Sequence, residues 1–190
     1  MKERPILFSA PMVRAMLDGR KTQTRRIANE FDHEHGKMDA LLKRYPDQQG
    51  CPHGCLGDFL WVREAWRASS AHDDISPRDI PRCDAIEYAA SPEHVLTGKT
   101  RPGIYMPRWA SRITLEITGV RVERVQEIDI ADASAEGVTD TGSLILDKAG
   151  NEQGGPIAEY AVLWESINGP GSWEQNPWVW VIEFKLVVPA

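Results

Sequence analysis

No stretch of the chain approaches the ~20 consecutive apolar residues that a membrane-crossing helix needs, so no membrane partner is expected. A glycine-rich phosphate loop, a Gly-x-Ser-x-Gly turn, a His-Glu-x-x-His helix and an internal repeat are all missing. Nucleotide-triphosphate hydrolysis, serine hydrolysis on a strand-to-helix turn and zinc proteolysis therefore have no support. The opening MKERPILFSA holds a run of four apolar residues, too short for the core of an export signal, so a cytoplasmic chain is expected. Cysteine is scarce: Cys51, Cys55 and Cys83 are odd in number and read as free thiols in a reducing compartment. Cys51-Pro52-His53-Gly54-Cys55, even with His33 or His35, lacks the second ligand pair of a zinc ribbon. Neither a metal nor a cofactor is expected. Positive charge is also in deficit, 22 Lys and Arg against 28 Asp and Glu for a net −6, which argues against a protein that coats duplex nucleic acid by phosphate attraction alone.

The charge that is present is unevenly placed. Residues 1–26 carry seven basic side chains (Lys2, Arg4, Arg14, Arg20, Lys21, Arg25 and Arg26) against only Glu3 and Asp18, so a basic edge sits on an acidic body. Pro5-Ile6-Leu7-Phe8 reads as a short buried strand. Ser9 then caps a helix that has Pro11 in its first turn and Gly19 as its stop. Lys21-Thr22-Gln23-Thr24-Arg25-Arg26 has strand-forming threonines and no apolar residue before Ile27. It is either a site wall or an edge strand guarded by its charges.

Further strands are expected at Asp58–Trp66 and Ala85–Ala89. The clearest runs from Arg112 to Val125: Ile113, Leu115 and Ile117 alternate with polar residues, then the phase shifts at Gly119 to Val120 and Val122. A one-residue shift of phase at a glycine is the signature of a β-bulge, which lets a long strand bend. Asp129 caps a short helix ended by Gly137, leaving Glu136 at its last position, where an acid opposes the helix dipole unless it faces a cation or a site. Pro156 opens a helix with Ile157, Tyr160, Ala161, Trp164 and Ile167 at helical spacing, stopped by Gly169-Pro170. A last strand lines Trp178, Trp180, Ile182, Phe184 and Leu186 along one face. One domain spanning 1–190, with inserted loops near 28–56, 67–103 and 139–155, fits this order of elements.

Gly19-Arg20-Lys21-Thr22-Gln23-Thr24-Arg25-Arg26 resembles the Gly-Arg-Lys-Thr-x-Thr-x-Arg signature of ASCH proteins, relatives of PUA domains associated with RNA metabolism. Val181-Ile182-Glu183-Phe184-Lys185 is similar to their closing strand. Gly57-Asp58, Leu60-Trp61-Val62-Arg63-Glu64 and Tyr105–Arg112 resemble the larger members carried by bacteriophages and prophages. The resemblance implies an α+β fold, a PUA-like mixed β-barrel flanked by short helices, with a cleft beside the first helix. A small bacterial member is an amidohydrolase that deacetylates N4-acetylcytidine, and its lysine, threonine and glutamate map onto Lys21, Thr24 and Glu136. Other members are described as ribonucleases.

Two chemistries follow for those three residues. In an amidohydrolase Thr24 attacks an acyl carbon, Lys21 acts as base, and Glu136 orients the amine or returns the proton. In a nuclease Glu136 takes the proton of a ribose 2′-hydroxyl, while Lys21 and an arginine stabilise the phosphoryl oxygens. Arg20, Arg25, Arg26, Arg63, Arg108, Trp109 and Arg112 are the expected nucleic-acid contacts. Trp109, between Arg108 and Arg112, is expected to be exposed and able to stack on a base. Lys21 is expected to line the cleft, so that its replacement by alanine would scarcely alter stability. Long loops and aromatic residues favour a polymer, RNA or single-stranded nucleic acid, and the reading leans to a nuclease; the alternatives are a modified nucleoside as amide substrate and a noncatalytic binding module.

Overall fold

Alternating apolar residues on both sides of a bulge make β6 (Thr114–Arg124) long enough to pair with nearly all of β9 (Trp178–Val187). Their antiparallel register shifts between Ile117 and Gly119, at the predicted position. The structure, a computed structural model, describes residues 1–28, 51–82, 85–93, 95–139, 141–146 and 152–187. Strands β1 (Glu3–Leu7), β2 (Gln23–Ile27) and β3 (Phe59–Arg63) complete a five-stranded sheet of order β1-β3-β6-β9-β2. β1 and β3 run parallel and the other neighbours antiparallel. Small ladders form between β4 (Trp66–Ala68) and β5 (Ile86–Tyr88), and between β7 (Ile145–Leu146) and β8 (Glu152–Gln153). The predicted strand at Asp58–Trp66 thus breaks after Arg63, and its end joins a different sheet.

The mixed α+β character is as expected, but the sheet is not closed into a barrel: β1 and β2 are its two edges. Periodicity reports which face of a strand is apolar and says nothing of which edges meet. The edges are tied by side chains instead. Arg26 of β2 donates to the Leu7 carbonyl at 2.7 Å, and Phe8 meets Phe184 of β9 edge-on at 6.1 Å.

β9 is buried on both faces from Val179 to Ile182, each large apolar side chain there contributing about 1.5–3 kcal/mol on burial. Trp180, Ile182 and Phe184 pack with Leu60, Leu115 and Val13 of helix α1 (Ala10–Leu17). Val179 and Val181 pack on the other side against α2 (Ile130–Ala135) and α3 (Pro156–Asn168) through Ala133, Tyr160 and Trp164. A satellite cluster around Trp66 and Met106 also takes in Trp109, which is half-buried with its ring edge-on to Trp66 at 6.4 Å. Trp109 is therefore a packing residue and not the exposed one expected. Among the described residues, no helix is long and apolar enough to cross a membrane. Cys51 is buried, Cys55 donates its thiol towards Asp58, and His33, His35 and Cys83 lie outside the described residues.

Candidate functional site

Residues 20–22 are clamped between two helix ends, and this clamp builds the site. The amides of Arg20 and Lys21 donate to the Ala15 carbonyl of α1 at 2.8 and 3.0 Å, and the amide of Thr22 donates to the Ala135 carbonyl of α2 at 2.9 Å. Lys21 and Glu136 consequently form an isolated antiparallel bridge. Asp129 fixes the start of α2 by accepting from the Asp132 amide at 2.7 Å, and Glu136 occupies its C-cap. At Gly137 the chain turns with φ +81°, and a Cβ there would stand 2.8 Å from the Cβ of Lys21. Only glycine accommodates both the turn and the close approach.

The Lys21 amine donates to Glu136 Oε2 at 2.7 Å and to the Glu136 carbonyl at 2.9 Å. The acid at the unfavourable end of α2 thus faces a cation, which also satisfies the last carbonyl of the helix. Lys21 and Glu136 have side-chain exposures of 0% and 3%, so Lys21 is buried where a cleft-lining residue was expected. Burial pushes its amine below the ordinary lysine value, against the opposing pull of the Glu136 carboxylate.

Arg25 comes to the same carboxylate from the other side. Its guanidinium lies 3.3 Å from Glu136 Oε1, 2.7 Å from Asp132 and 2.5 Å from Glu123, with the Tyr160 ring 5.8 Å away. Arg121 continues the network to Asp132, Glu123 and Glu183. Burial would raise Asp132, but hydrogen bonds from Arg25 and Arg121 outweigh it and hold the carboxyl below its usual value.

A cleft of about 760 Å³ opens between α1, the end of α2 and α3. Beneath it an inner pocket of about 60 Å³ reaches the edge strand β2 at Thr24, Arg25 and Arg26. Met12, Glu136, Leu163 and Ile167 line both cavities, so Glu136 stands where they meet and Lys21 lies behind it. Thr24, 3% exposed, lines the inner pocket. The polar strand is thus both an edge and a site wall.

Of the predicted contacts, Arg20 lines the outer cleft and donates to the Gly137 carbonyl and to Asp18. Arg26 lines the inner pocket and sits over the Phe8 ring at 5.1 Å. Arg63, Arg108 and Arg112 are not brought to the cleft. Arg63 and Arg108 cover the Trp61 ring at 4.6 and 5.8 Å, Arg108 pairs with Glu3, and Arg112 pairs with Glu64 over the Tyr88 ring.

Sequence reasoning missed Tyr160, which it took for core, and Glu159, for which the sequence carries no signal. Glu159 accepts four hydrogen bonds, from the amides and hydroxyls of Thr141 and Ser143 at 2.6–2.8 Å. This clasp fastens one rim of the cleft, lined by Thr139, Thr141 and Glu159. Those bonds, the Thr141 hydroxyl's foremost, hold the carboxyl down to about 2, so the clasp is present at neutral pH and is lost only as pH falls through that value. Glu159→Ala is expected to speed hydrogen exchange at the Thr141 and Ser143 amides by roughly fivefold to tenfold, the worth of one net hydrogen bond. Unchanged protection would show that the rim is held by other contacts.

No family model matches the chain, and no curated protein matches it. Among solved structures it is similar to an ASCH domain from Lactobacillus crispatus, at 13% identity and a TM-score of 0.43, over 97% of this chain and 79% of that one. It is also similar to a DUF984 protein from Enterococcus faecalis, at 13% identity and a TM-score of 0.39, over 92% of this chain. The chain spans 65% of the length of the Enterococcus protein.

Proposed function

We propose that the chain is an ASCH-type protein whose cleft takes a nucleoside, free or within single-stranded RNA, and removes an acyl group from a nitrogen of its base. The observation that supports this best is that Thr24 and Glu136 line one inner pocket, with Glu136 holding the buried Lys21 amine at 2.7 Å. A threonine hydroxyl is a weak nucleophile without a base, and the Lys21–Glu136 pair is the candidate base. The exposures of Lys21 and Glu136 favour a base substituent over a phosphodiester. A flat acyl group can enter a small pocket, whereas a charged polymer backbone with chain on either side cannot follow it, which weighs against the nuclease favoured on sequence grounds.

In this scheme the Thr24 oxygen bonds to the acyl carbon and the carbonyl electron pair moves onto its oxygen. The hydroxyl proton passes to the Lys21–Glu136 pair. Re-formation of the carbonyl breaks the C–N bond, and the departing nitrogen takes that proton. Water then hydrolyses the threonine ester, releasing the carboxylic acid and restoring the hydroxyl. The neutral amine is the basic form, so the rate rises with pH. Because burial lowers the Lys21 value, the rise comes at lower pH than an exposed lysine would give.

The purified protein, given N4-acetylcytidine and a matched single-stranded RNA with and without a chelator, is expected to release acetate from the nucleoside and leave the RNA chain intact. Thr24→Ala should lower the rate by about 100-fold or more. Chain cleavage with the nucleoside untouched would overturn this reading in favour of the nuclease.

A further inference from the structure

The inner pocket is rich in donors. Besides Thr24 it is lined by Tyr160, Trp164 and Arg26. The indole N–H of Trp164 and Nε of Arg26 are buried without a hydrogen-bond partner. Tyr160, 3% exposed, adds a hydroxyl to the same lining. The nearby carboxylate, Glu136, is already engaged by Lys21 and Arg25. Buried polar groups are nearly always paired, so these two unpaired donors, with the Thr24 and Tyr160 hydroxyls in the same lining, suit an oxygen acceptor.

We infer that Tyr160 is a further catalytic residue of this site, its hydroxyl donating to the acyl oxygen of the substrate, with Trp164 N–H as the neighbouring donor. This rests on the amide-hydrolysis reading above. The position of the hydroxyl is set by packing of its ring: Trp164 and Trp173 lie at 6.2 Å, tilted and edge-on, and the Arg25 guanidinium is on the ring at 5.8 Å. Tyr160 is 3% exposed, so the donor is held in place before substrate arrives and needs no reorganisation when charge develops. Burial, reinforced by Glu136, raises the phenol well above its ordinary value. The phenol therefore keeps its proton throughout the range in which Lys21 gives one up. As Thr24 attacks, the electron pair of the carbonyl moves onto an oxygen that accepts from Tyr160. No proton is transferred, and Tyr160 ends the cycle unchanged.

Tyr160→Phe keeps the ring and removes the donor. With N4-acetylcytidine, kcat is expected to fall by about 100–1,000-fold, the loss seen for one oxyanion donor, while KM and the thermal midpoint stay close to those of the parent. Turnover by Tyr160→Phe within about threefold of the parent would overturn the assignment. A second measurement does not need that activity: sodium acetate, carrying the same acceptor oxygens, is titrated into the parent while the Trp164 indole N–H resonance is followed. A saturable shift of that resonance, weakened in Tyr160→Phe, supports the donor site even if the parent hydrolyses no amide; in that case the hydrolase reading alone falls. No shift in the folded parent, or one equal in the variant, overturns the site.

Discussion

Lys21→Ala is expected to destabilise the protein by about 3 kcal/mol and to abolish turnover, because it removes one member of a buried ion pair. The stability loss comes from Glu136, which keeps Arg25 at 3.3 Å but loses both a 2.7 Å bond and the cation that capped its own carbonyl. The remaining arginine places the cost at the lower end of the usual range of about 3–5 kcal/mol. A double variant, Lys21→Met with Glu136→Leu, separates the two roles. Replacing both charges with apolar groups of similar volume is often neutral, and Arg25 still has Asp132 and Glu123. Urea denaturation should therefore show the double variant more stable than Lys21→Ala, while both remain inactive. A double variant as unstable as the single one would mean that packing, not charge, sets the cost; a single variant with parental turnover would remove Lys21 from the mechanism.

Arg25→Ala is expected to cost about 3–5 kcal/mol at neutral pH, with activity falling because Glu136 loses one of the two groups that orient it. The side chain has no exposure and bridges three carboxylates. Arg25→Lys should not rescue it, since one ammonium cannot reproduce a planar fork. The pH dependence carries the signature. Asp132 is held below its ordinary value of 3.8, with Arg25 the leading cause of the lowering. A depressed carboxyl contributes stability that is present above its unfolded value and lost as pH falls through its folded one. The gap between parent and variant, measured by denaturation at neutral pH and again near 3, should therefore narrow on acidification. A gap independent of pH would mean that the arginine acts by filling space.

Lys21 and Glu136 were brought together by the resemblance to ASCH proteins, while local rules place each of them at a helix end. The first helix, at whose start Ser9 makes no side-chain cap bond, ends at Leu17, and Gly19 leads to Lys21 on the following turn; Asp129 and Gly137 bracket a helix with Glu136 at its end. Burial of that pair was not legible. Nothing within ten residues of Lys21 shows that the acid closing over it lies 115 positions away. Arg25 was misread for a related reason: charge counted along the chain makes a basic edge, whereas its carboxylates come from 98, 107 and 111 positions on. Tyr160 escaped because an aromatic residue at helical spacing reads as core, which its ring is; its place in the lining of the inner pocket is what sets it apart. Strand faces were likewise readable where edges were not. The alternation in β6 and β9 predicted their burial, yet the open order β1-β3-β6-β9-β2 depends on contacts that periodicity does not encode.

The position of β9 in that order bears on how the chain reaches its working form. β2, which carries Thr24 and Arg25, pairs with β9, the last strand in sequence. Until that strand is made and docked, β2 has no ladder to fix it and the two core clusters have no common partition. Contacts of such long separation are slow to form and come late. A nascent or refolding chain that has not reached Trp178 therefore already contains Lys21, Thr24, Glu136 and Tyr160 but does not hold them together, and assembly of the candidate site becomes a measure of completed folding.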